Sequence, residues 1–293
     1  MNECKPFLII DGYPKESRDE FDVAGMKHAW RLYADMLERH VPDAKYKVWL
    51  PSDNPELPEN LSADSFRAIL WTGCNLTIFD RDDPSVTCQI EFAKRIYEVG
   101  TPSFGSCWGL QMAAVAAGGE VKKSPLGREM GFARRIRVTA EGLKHPMTSG
   151  KPPVYIAFAS HFDEVTSLPA GAQVLASNDY ARVQALAVTH KKGTFWGVQY
   201  HPEYDLSEMA RLIVSRRPKL LKTGFFANDL DLDRYVEKLE ALHKDPHRKD
   251  LRWQLDVDDD VISPEIRQYE FAAWLKACVG RSLINRNIAI TSG

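Results

Sequence analysis

The sequence predicts an α/β protein with a mainly parallel central sheet, helices on both faces, a smaller antiparallel sheet and a C-terminal helical extension. Over the first 119 residues, short apolar runs alternate with segments of helical periodicity, as is typical of parallel sheets with crossover helices. Short strand-like segments then follow one another without helices, which favours a second, more antiparallel layer. From about residue 216 the pattern is less regular.

Each element is predicted from its local pattern. The apolar run Phe7–Ile10 ends at Asp11-Gly12, which is typical of a buried strand followed by a loop. The other strands predicted in the first part are 46–50, 66–71 and 102–105, and the helices are 22–40, 85–99 and 110–117. The later strands are 132–138, 154–160, 173–177, 183–190 and 194–200, and a helix follows at 206–215.

The length of 293 residues is compatible with one large or two ordinary domains. Because neither an internal repeat nor a low-complexity linker interrupts the chain, we predict one domain over 1–215, with 216–293 as an extension packed on it. Ser263-Pro264 and Gly280 frame a final helix, by the preference for proline at the first helical position and glycine after the last. Its apolar side chains are numerous enough to dock on the domain.

Composition narrows the functional classes. The net charge of −2 gives no electrostatic argument for nucleic acid or an anionic membrane. The five cysteines are scattered without metal-ligand spacing, so neither a metal nor a disulfide framework is expected. The first residues lack the basic and apolar blocks of a signal peptide, and the helical part of the uncharged stretch 101–119 is too short for a bilayer. We predict a cytoplasmic protein without cofactors.

The stretch Thr101–Gly119 contains the strongest candidate for chemistry. A short strand enters a Gly-Ser-Cys-Trp-Gly turn, and an Ala-rich helix follows. Glycines on both sides of Cys107 allow a sharp turn, as in the nucleophile elbow, with sulfur in place of the hydroxyl oxygen. The helix start favours a thiolate there. The alternative is a buried cysteine in a glycine-rich turn.

A cysteine nucleophile needs a base and a group that orients the base. His201 closes a predicted strand, and Pro202 then Glu203 follow. Because proline breaks the strand, a turn can bring Glu203 back to the imidazole, where a carboxylate would fix the tautomer and stabilise the imidazolium. The alternative is a loop histidine beside a loop acid.

An oxyanion hole is the next requirement. One donor would be the backbone N–H of Trp108, the residue after the nucleophile. The second would come from the loop Thr72-Gly73-Cys74, through Gly73 and Cys74, because ligands bind at the carboxyl ends of strands in open α/β sheets. The alternative is that Gly73 only turns the chain.

These motifs resemble the signatures of class I (triad) glutamine amidotransferases. The resemblance rests on Gly105–Gln111 (GSCWGLQ), Gly197–Glu203 (GVQYHPE) and the Thr72-Gly73-Cys74 loop, within about residues 5–215. Ser160–Val165 (SHFDEV) is similar to the family's Ser-His-x-Asp-x-Val segment. Ile266–Leu275 is similar to the C-terminal helix of stand-alone members that resemble the amidotransferase half of GMP synthase. The implied fold is flavodoxin-like.

The resemblance implies a mechanism and a set of substrate contacts. Cys107 would attack the side-chain amide of glutamine and form a γ-glutamyl thioester; His201 would move the proton, and Glu203 would orient His201. The substrate's α-amino and α-carboxylate groups would be held by Gln111, Ser160, His161, Phe162 and Asp163. A structural role is equally open for His161. The family's usual Ser-Gly-Gly-Pro oxyanion loop is here Thr-Gly-Cys-Asn, which narrows the freedom of that loop.

The resemblance leaves the fate of ammonia open. The chain after the matched region is too short for an ATP-using domain, and neither a phosphate loop nor a Ser-Gly-Gly-x-Asp-Ser stretch occurs. A separate ATP-dependent synthetase subunit would then receive the ammonia, or the protein would act alone as a γ-glutamyl hydrolase or transferase on a small-molecule γ-glutamyl compound. Gln111 favours glutamine, because members that cleave γ-glutamyl peptides often carry an acid there. A silent regulatory subunit is the third alternative.

Overall fold

The computed structural model describes residues 5–56 and 62–280. Its strands are β1 (Phe7–Ile10), β2 (Tyr46–Trp49), β3 (Ile69–Trp71), β4 (Ser103–Ser106), β5 (Glu120–Lys123), β6 (Glu129–Val138), β7 (Val154–His161), β8 (Asp163–Ser167), β9 (Ala172–Ser177), β10 (Ala185–His190) and β11 (Gly193–Val198).

The helices in the described ranges lie on the faces and beyond the end of the sheet region. They are α1 (Lys15–Ala24), α2 (Ala29–His40), α3 (Pro84–Val99), α4 (Trp108–Ala116), α5 (Leu206–Ser215), α6 (Arg217–Lys222), α7 (Asp229–Lys244), α8 (Lys249–Leu255), α9 (Asp259–Ile262), α10 (Pro264–Arg267) and α11 (Tyr269–Trp274). A π-helical turn, Leu275–Val279, follows α11, so the final helix predicted from the proline and glycine signals is broken into shorter pieces.

The central sheet has the order β2-β1-β3-β4-β11-β10-β9-β6-β7. Its first five strands pair in parallel, and β10, β9, β6 and β7 continue it with antiparallel pairs. Buried apolar side chains form clusters on the two faces. The predicted fold class is confirmed. The later strands, however, extend the central sheet and do not form a separate layer.

The separate antiparallel sheet comes from segments that the sequence did not predict as strands. It pairs β5 with β8, and Val121 lies opposite Val165. Both valines are buried, whereas their neighbours in the two strands are mostly exposed and charged. With one buried position on each short strand, the apolar pattern is too weak for sequence periodicity to detect.

The segment predicted as one helix over 22–40 is two helices, so that prediction was wrong. Gly25 has a left-handed backbone (φ 67°) and its N–H closes α1 on the Asp22 carbonyl at 3.1 Å. Met26, in the link before α2, is buried. A buried methionine in a connection matches the apolar spacing of a helix without being helical, which explains the error.

Strand β4 and helix α4 approach each other unusually closely. A Cβ placed on Gly105 would lie 2.7 Å from the Gly109 Cα and 2.8 Å from the Trp71 Cβ, both shorter than real carbon contacts. The two glycines therefore let the helix pack directly on the ends of β3 and β4, which fixes the position of the turn between them.

The described part of the predicted extension docks through aromatic and charged contacts. Phe271 and Trp274 pack edge-on and tilted against Phe104 of β4, at centroid distances of 5.4 and 5.6 Å. The Glu270 carboxylate lies 3.2 Å from the buried Lys151 ammonium. We propose that this region forms one domain with 1–215; residues 281–293 of the predicted extension lie outside the described residues.

No helix in the described ranges is both long and apolar enough to cross a membrane. The cytoplasmic location expected from the sequence stays a prediction.

We expect Glu270→Gln to lower the free energy of unfolding by roughly 3 kcal/mol, because it leaves the Lys151 ammonium buried without its counter-charge. Urea unfolding monitored by tryptophan fluorescence measures this loss. The control is Glu265→Gln, which removes a carboxylate that pairs with Arg39 at the surface; its expected cost is below about 1 kcal/mol. Equal losses in the two variants would contradict a stabilising contact of the extension through Glu270.

Candidate active site

Cys107 occupies a strained turn between β4 and α4. Its backbone has φ 49° and ψ −97°, a region that non-glycine residues rarely adopt and that is found at functional sites. The N–H of Cys107 donates to the Val198 carbonyl at 2.7 Å, and the sulfur lies 4.0 Å from the Ser160 carbonyl oxygen. The sharp turn predicted around Cys107 is therefore present, and it ties this residue to the end of β11.

His201 and Glu203 follow β11 and form a buried pair. The His201 Nδ1 lies 2.7 Å from the Glu203 Oε1, and both side chains are about 1% exposed. The opposite ring nitrogen, Nε2, has no hydrogen-bond partner in the described part of the chain. The pair thus leaves one nitrogen available for a proton transfer.

The sulfur of Cys107 and the carboxylate of Glu203 set the protonation of His201. Burial alone would lower the pKa of His201, but the negative charge of Glu203 and the Cys107 sulfur raise it to about 9. Cys107 therefore lies close enough to interact with the imidazole. Gly73 packs on the same ring, since a Cβ there would lie 2.6 Å from the His201 Cε1.

The loop after β3 lies beside these residues, as the oxyanion prediction requires. The N–H groups of Gly73, Cys74 and Trp108 donate to no main-chain carbonyl within the described ranges. Thr72 holds the loop, because its hydroxyl donates to the Gly73 carbonyl at 2.8 Å. Burial raises the pKa of the Cys74 thiol well above its usual value, as expected of a small packing residue.

A cavity of about 430 Å³ opens in front of Cys107. It brings together the sequence-predicted substrate residues with Cys107 and Cys74; the described lining consists of Cys74, Asn75, Leu76, Thr77, Phe79, Cys107, Gln111, Lys123, Arg128, Ser160, His161, Phe162, Asp163, Arg216 and Lys219. No group of three or more His, Cys, Asp or Glu that could hold a metal occurs within 5–56 and 62–280.

Comparisons with known proteins identify the chain's relatives. The family model for class I glutamine amidotransferases matches residues 80–217. A γ-glutamyl-L-1-hydroxyisopropylamide hydrolase of Pseudomonas sp. is 35% identical over 222 residues, which cover 75% of this chain and 74% of the relative. The chain belongs to the class I glutamine amidotransferase family.

Other relatives show how far this family membership extends. A glutamine-hydrolysing GMP synthase of Caldicellulosiruptor saccharolyticus is 30% identical over 184 residues, and the match covers 62% of this chain but 33% of that relative. The solved structure of a glutamine amidotransferase from Thermotoga maritima superposes with a TM-score of 0.67 at 15% identity, covering 94% of this chain and 99% of that one. The structure shows a shared fold, and the hydrolase relatives confirm the predicted enzyme class, a glutamine amidotransferase-type hydrolase.

The amidotransferase carries its predicted substrate segment on β7 and β8. The Gln111 amide donates to the Asp163 carbonyl at 3.2 Å. His161 lies within hydrogen-bond distance of that carbonyl through Nδ1 (3.1 Å) and of the Glu129 carboxylate through Nε2 (2.7 Å). Because both ring nitrogens have protein partners, His161 is better suited to holding this segment than to contacting a ligand.

Sequence reasoning missed three residues around the His201–Glu203 pair. The Ser106 hydroxyl donates to the Glu203 Oε1 at 2.9 Å, and the Tyr33 hydroxyl donates to Ser106 at 2.8 Å. The Tyr204 ring stacks on His201 at 4.2 Å and an interplanar angle of 2°. Ser106 and Tyr204 adjoin motifs and had a positional signal, whereas Tyr33 lies on α2 and had none.

It also missed four cations of the cavity: Lys123, Arg128, Arg216 and Lys219. They come from the end of β5, the following loop and the α5–α6 junction. Because each one is isolated in the sequence, no charge run indicated them.

We expect the imidazole of His201 to titrate near pH 9 in the wild type and well below pH 7 in Glu203→Gln, because burial then dominates. Since the folded pKa is raised, the contribution of His201 to stability is complete below about pH 6.5 and is lost as the pH rises through about 9. NMR titration of the histidine ring resonances measures the shift. His40, whose pKa burial lowers to about 4, should not respond, and a wild-type His201 that titrates below pH 7 would contradict the pairing.

Proposed function

We propose that this amidotransferase hydrolyses the γ-amide bond of a γ-glutamyl compound through a Cys107 γ-glutamyl thioester, with glutamine as the smallest candidate substrate. The observation that carries the proposal is the arrangement at the cavity: a strained cysteine at its wall, beside a histidine whose far nitrogen is held by a buried carboxylate. The 35% identity with a γ-glutamyl amide hydrolase supports the same chemistry.

In the first half of the proposed reaction, His201 takes the thiol proton and the Cys107 sulfur attacks the γ-carbonyl carbon. The new C–S bond pushes the carbonyl electrons onto oxygen, and the N–H groups of Gly73, Cys74 and Trp108 stabilise the oxyanion. When the oxyanion collapses, the C–N bond breaks and His201 returns the proton to the leaving amine. A thioester and free amine, or ammonia from glutamine, result.

In the second half, His201 takes a proton from water while the water oxygen attacks the thioester carbon. The tetrahedral intermediate collapses with cleavage of the C–S bond, and glutamate leaves. Glu203 keeps Nε2 directed at the reacting atoms and stabilises the imidazolium in both halves. Ser106 and Tyr33 act as positioning residues, because they donate to Glu203 in a chain and touch no reacting atom.

The glutamyl group is proposed to bind on the Ser160–Asp163 segment and Gln111. Asp163 has a carboxylate in the cavity, and burial raises its pKa although His161, Arg128 and Lys123 lower it. An α-ammonium would pair with this carboxylate, and an α-carboxylate would pair with the neighbouring cations. This arrangement fits the amino-acid end that all γ-glutamyl compounds share.

We expect Cys107→Ala to abolish release of glutamate from glutamine and from γ-glutamyl-L-1-hydroxyisopropylamide, because no thioester can form. In Glu203→Gln, kcat should fall by about 10³-fold or more, with a smaller change in KM. Coupled glutamate detection measures both, and thermal unfolding checks that the variants fold. Wild-type activity equal to that of Cys107→Ala on every substrate would instead favour a silent regulatory subunit.

A second candidate function is the supply of ammonia to a separate ATP-dependent synthetase subunit, and the GMP synthase relatives favour it. The chain matches one third of that relative's length, so a synthetase activity would have to come from elsewhere. The purified chain alone distinguishes the two. A kcat/KM for a γ-glutamyl amide at least tenfold above that for glutamine supports the hydrolase, whereas glutamine hydrolysis that appears only with an ATP-dependent partner supports ammonia supply.

A further inference from the structure

The cavity in front of Cys107 is strongly cationic. Its described lining contains the four cations named above and one carboxylate, Asp163, which leaves three positive charges unmatched. None of the four cations forms an ion pair with a carboxylate in the described part of the chain. An enclosed site with one sign of charge concentrates ligands of the opposite sign.

The cations act on one another inside the cavity. Burial and then the charge of Arg216 lower the pKa of Arg128. Burial, followed by the charges of Arg128 and Arg216, likewise lowers the pKa of Lys219. The Arg216 Nε is buried and has no hydrogen-bond partner among the described residues. Since unpaired buried donors and clustered like charges both cost free energy, an anionic ligand would relieve both.

The four cations divide into two pairs by their contacts. Arg128 lies 3.4 Å from the Ser160 hydroxyl and 5.2 Å from the Phe162 ring centroid, and Lys123 lies 4.8 Å from the same ring. These two therefore belong to the segment that is proposed to hold the glutamyl group. Arg216 reaches Tyr13 at 3.5 Å, and Lys219 follows it on α6.

Glutamine alone does not account for this charge. It carries one α-carboxylate and one α-ammonium, so its net charge is zero, and the first pair of cations with Asp163 would satisfy it. The second pair, Arg216 and Lys219, then has no anionic partner. The cavity volume of about 430 Å³ lies in the range of sites that enclose whole small-molecule ligands.

We propose that the site selects γ-glutamyl compounds whose amine half carries a carboxylate, and that Arg216 and Lys219 bind this second carboxylate. The inference rests on the proposed function and specifies its substrate class: γ-glutamyl amino acids and peptides, with two or more carboxylates and one ammonium. Hydrolysis releases glutamate and an amino acid or peptide, so reactions that form γ-glutamyl peptide bonds must supply the substrate.

Two substrates that differ in a single group test the proposal. γ-Glutamyl-alanine has a carboxylate where γ-glutamyl-L-1-hydroxyisopropylamide has a CH₂OH group. We expect the wild type to hydrolyse γ-glutamyl-alanine with a kcat/KM about tenfold or more higher, the size of a hydrogen bond to a charged group. The advantage should shrink as salt is added, because screening weakens the attraction.

Variants locate the source of the preference. In Lys219→Gln and in Arg216→Gln, the ratio of kcat/KM for the acid to that for the alcohol should fall about three- to tenfold. Lys222→Gln, which removes the same charge from an exposed position of α6 outside the cavity lining, should keep the wild-type ratio. Because Lys219 is exposed, its variant should fold even if Arg216→Gln does not.

Failure of this inference differs from failure of the proposed function. Cys107-dependent hydrolysis with equal kcat/KM for the acid and the alcohol would overturn the carboxylate preference and leave the proposed function standing. A preference that survives in Lys219→Gln and Arg216→Gln would overturn the assignment of these residues. Activity on neither substrate, with a folded protein, would instead overturn the proposed function.

Discussion

The candidate site depends on the parallel pairing of β4 with β11. Phe195 lies opposite Ser103, and Val198 lies opposite Ser106, so two strands from distant parts of the chain end side by side. The hydrogen bond from the Cys107 N–H to the Val198 carbonyl extends the pairing one step past the strands. Because carboxyl ends of parallel strands meet at one edge of a sheet, the cysteine turn and the segment with His201 emerge together.

This edge keeps charged and strained groups where water is largely excluded. A buried histidine and carboxylate are costly to desolvate unless they pair and find further hydrogen bonds. Glu203 pairs with His201 and accepts from Ser106 on its Oε1. The positive φ of Cys107 adds strain. The close packing of Gly105 against α4 holds the turn in this conformation, so the rigid sheet and helix offset the strain that the chemistry requires.

The C-terminal region contributes to the site from both of its ends. Its first residues supply Arg216 and Lys219 to the cavity. Near its last described residues, Glu270 accepts a hydrogen bond from the hydroxyl of Tyr200, the residue before His201. Tyr200 in turn lies 2.8 Å from the Tyr155 hydroxyl. Removing this region would therefore disturb the backbone that carries His201 as well as the charge of the cavity.

The sequence alone determined the features that local chemistry dictates: the alternation of strands and helices, the turn at Cys107, the His-Pro-Glu ending and the glycine of the oxyanion loop. These were legible because each depends on residues a few positions apart. Tertiary structure alone decided that Tyr33 and Ser106 support Glu203, that β11 joins the parallel half of the sheet, and that four isolated cations line one cavity. Such groups meet only when distant segments pack, and the free energy that brings them together comes from the core and the sheet as a whole. No short stretch of sequence contains that information.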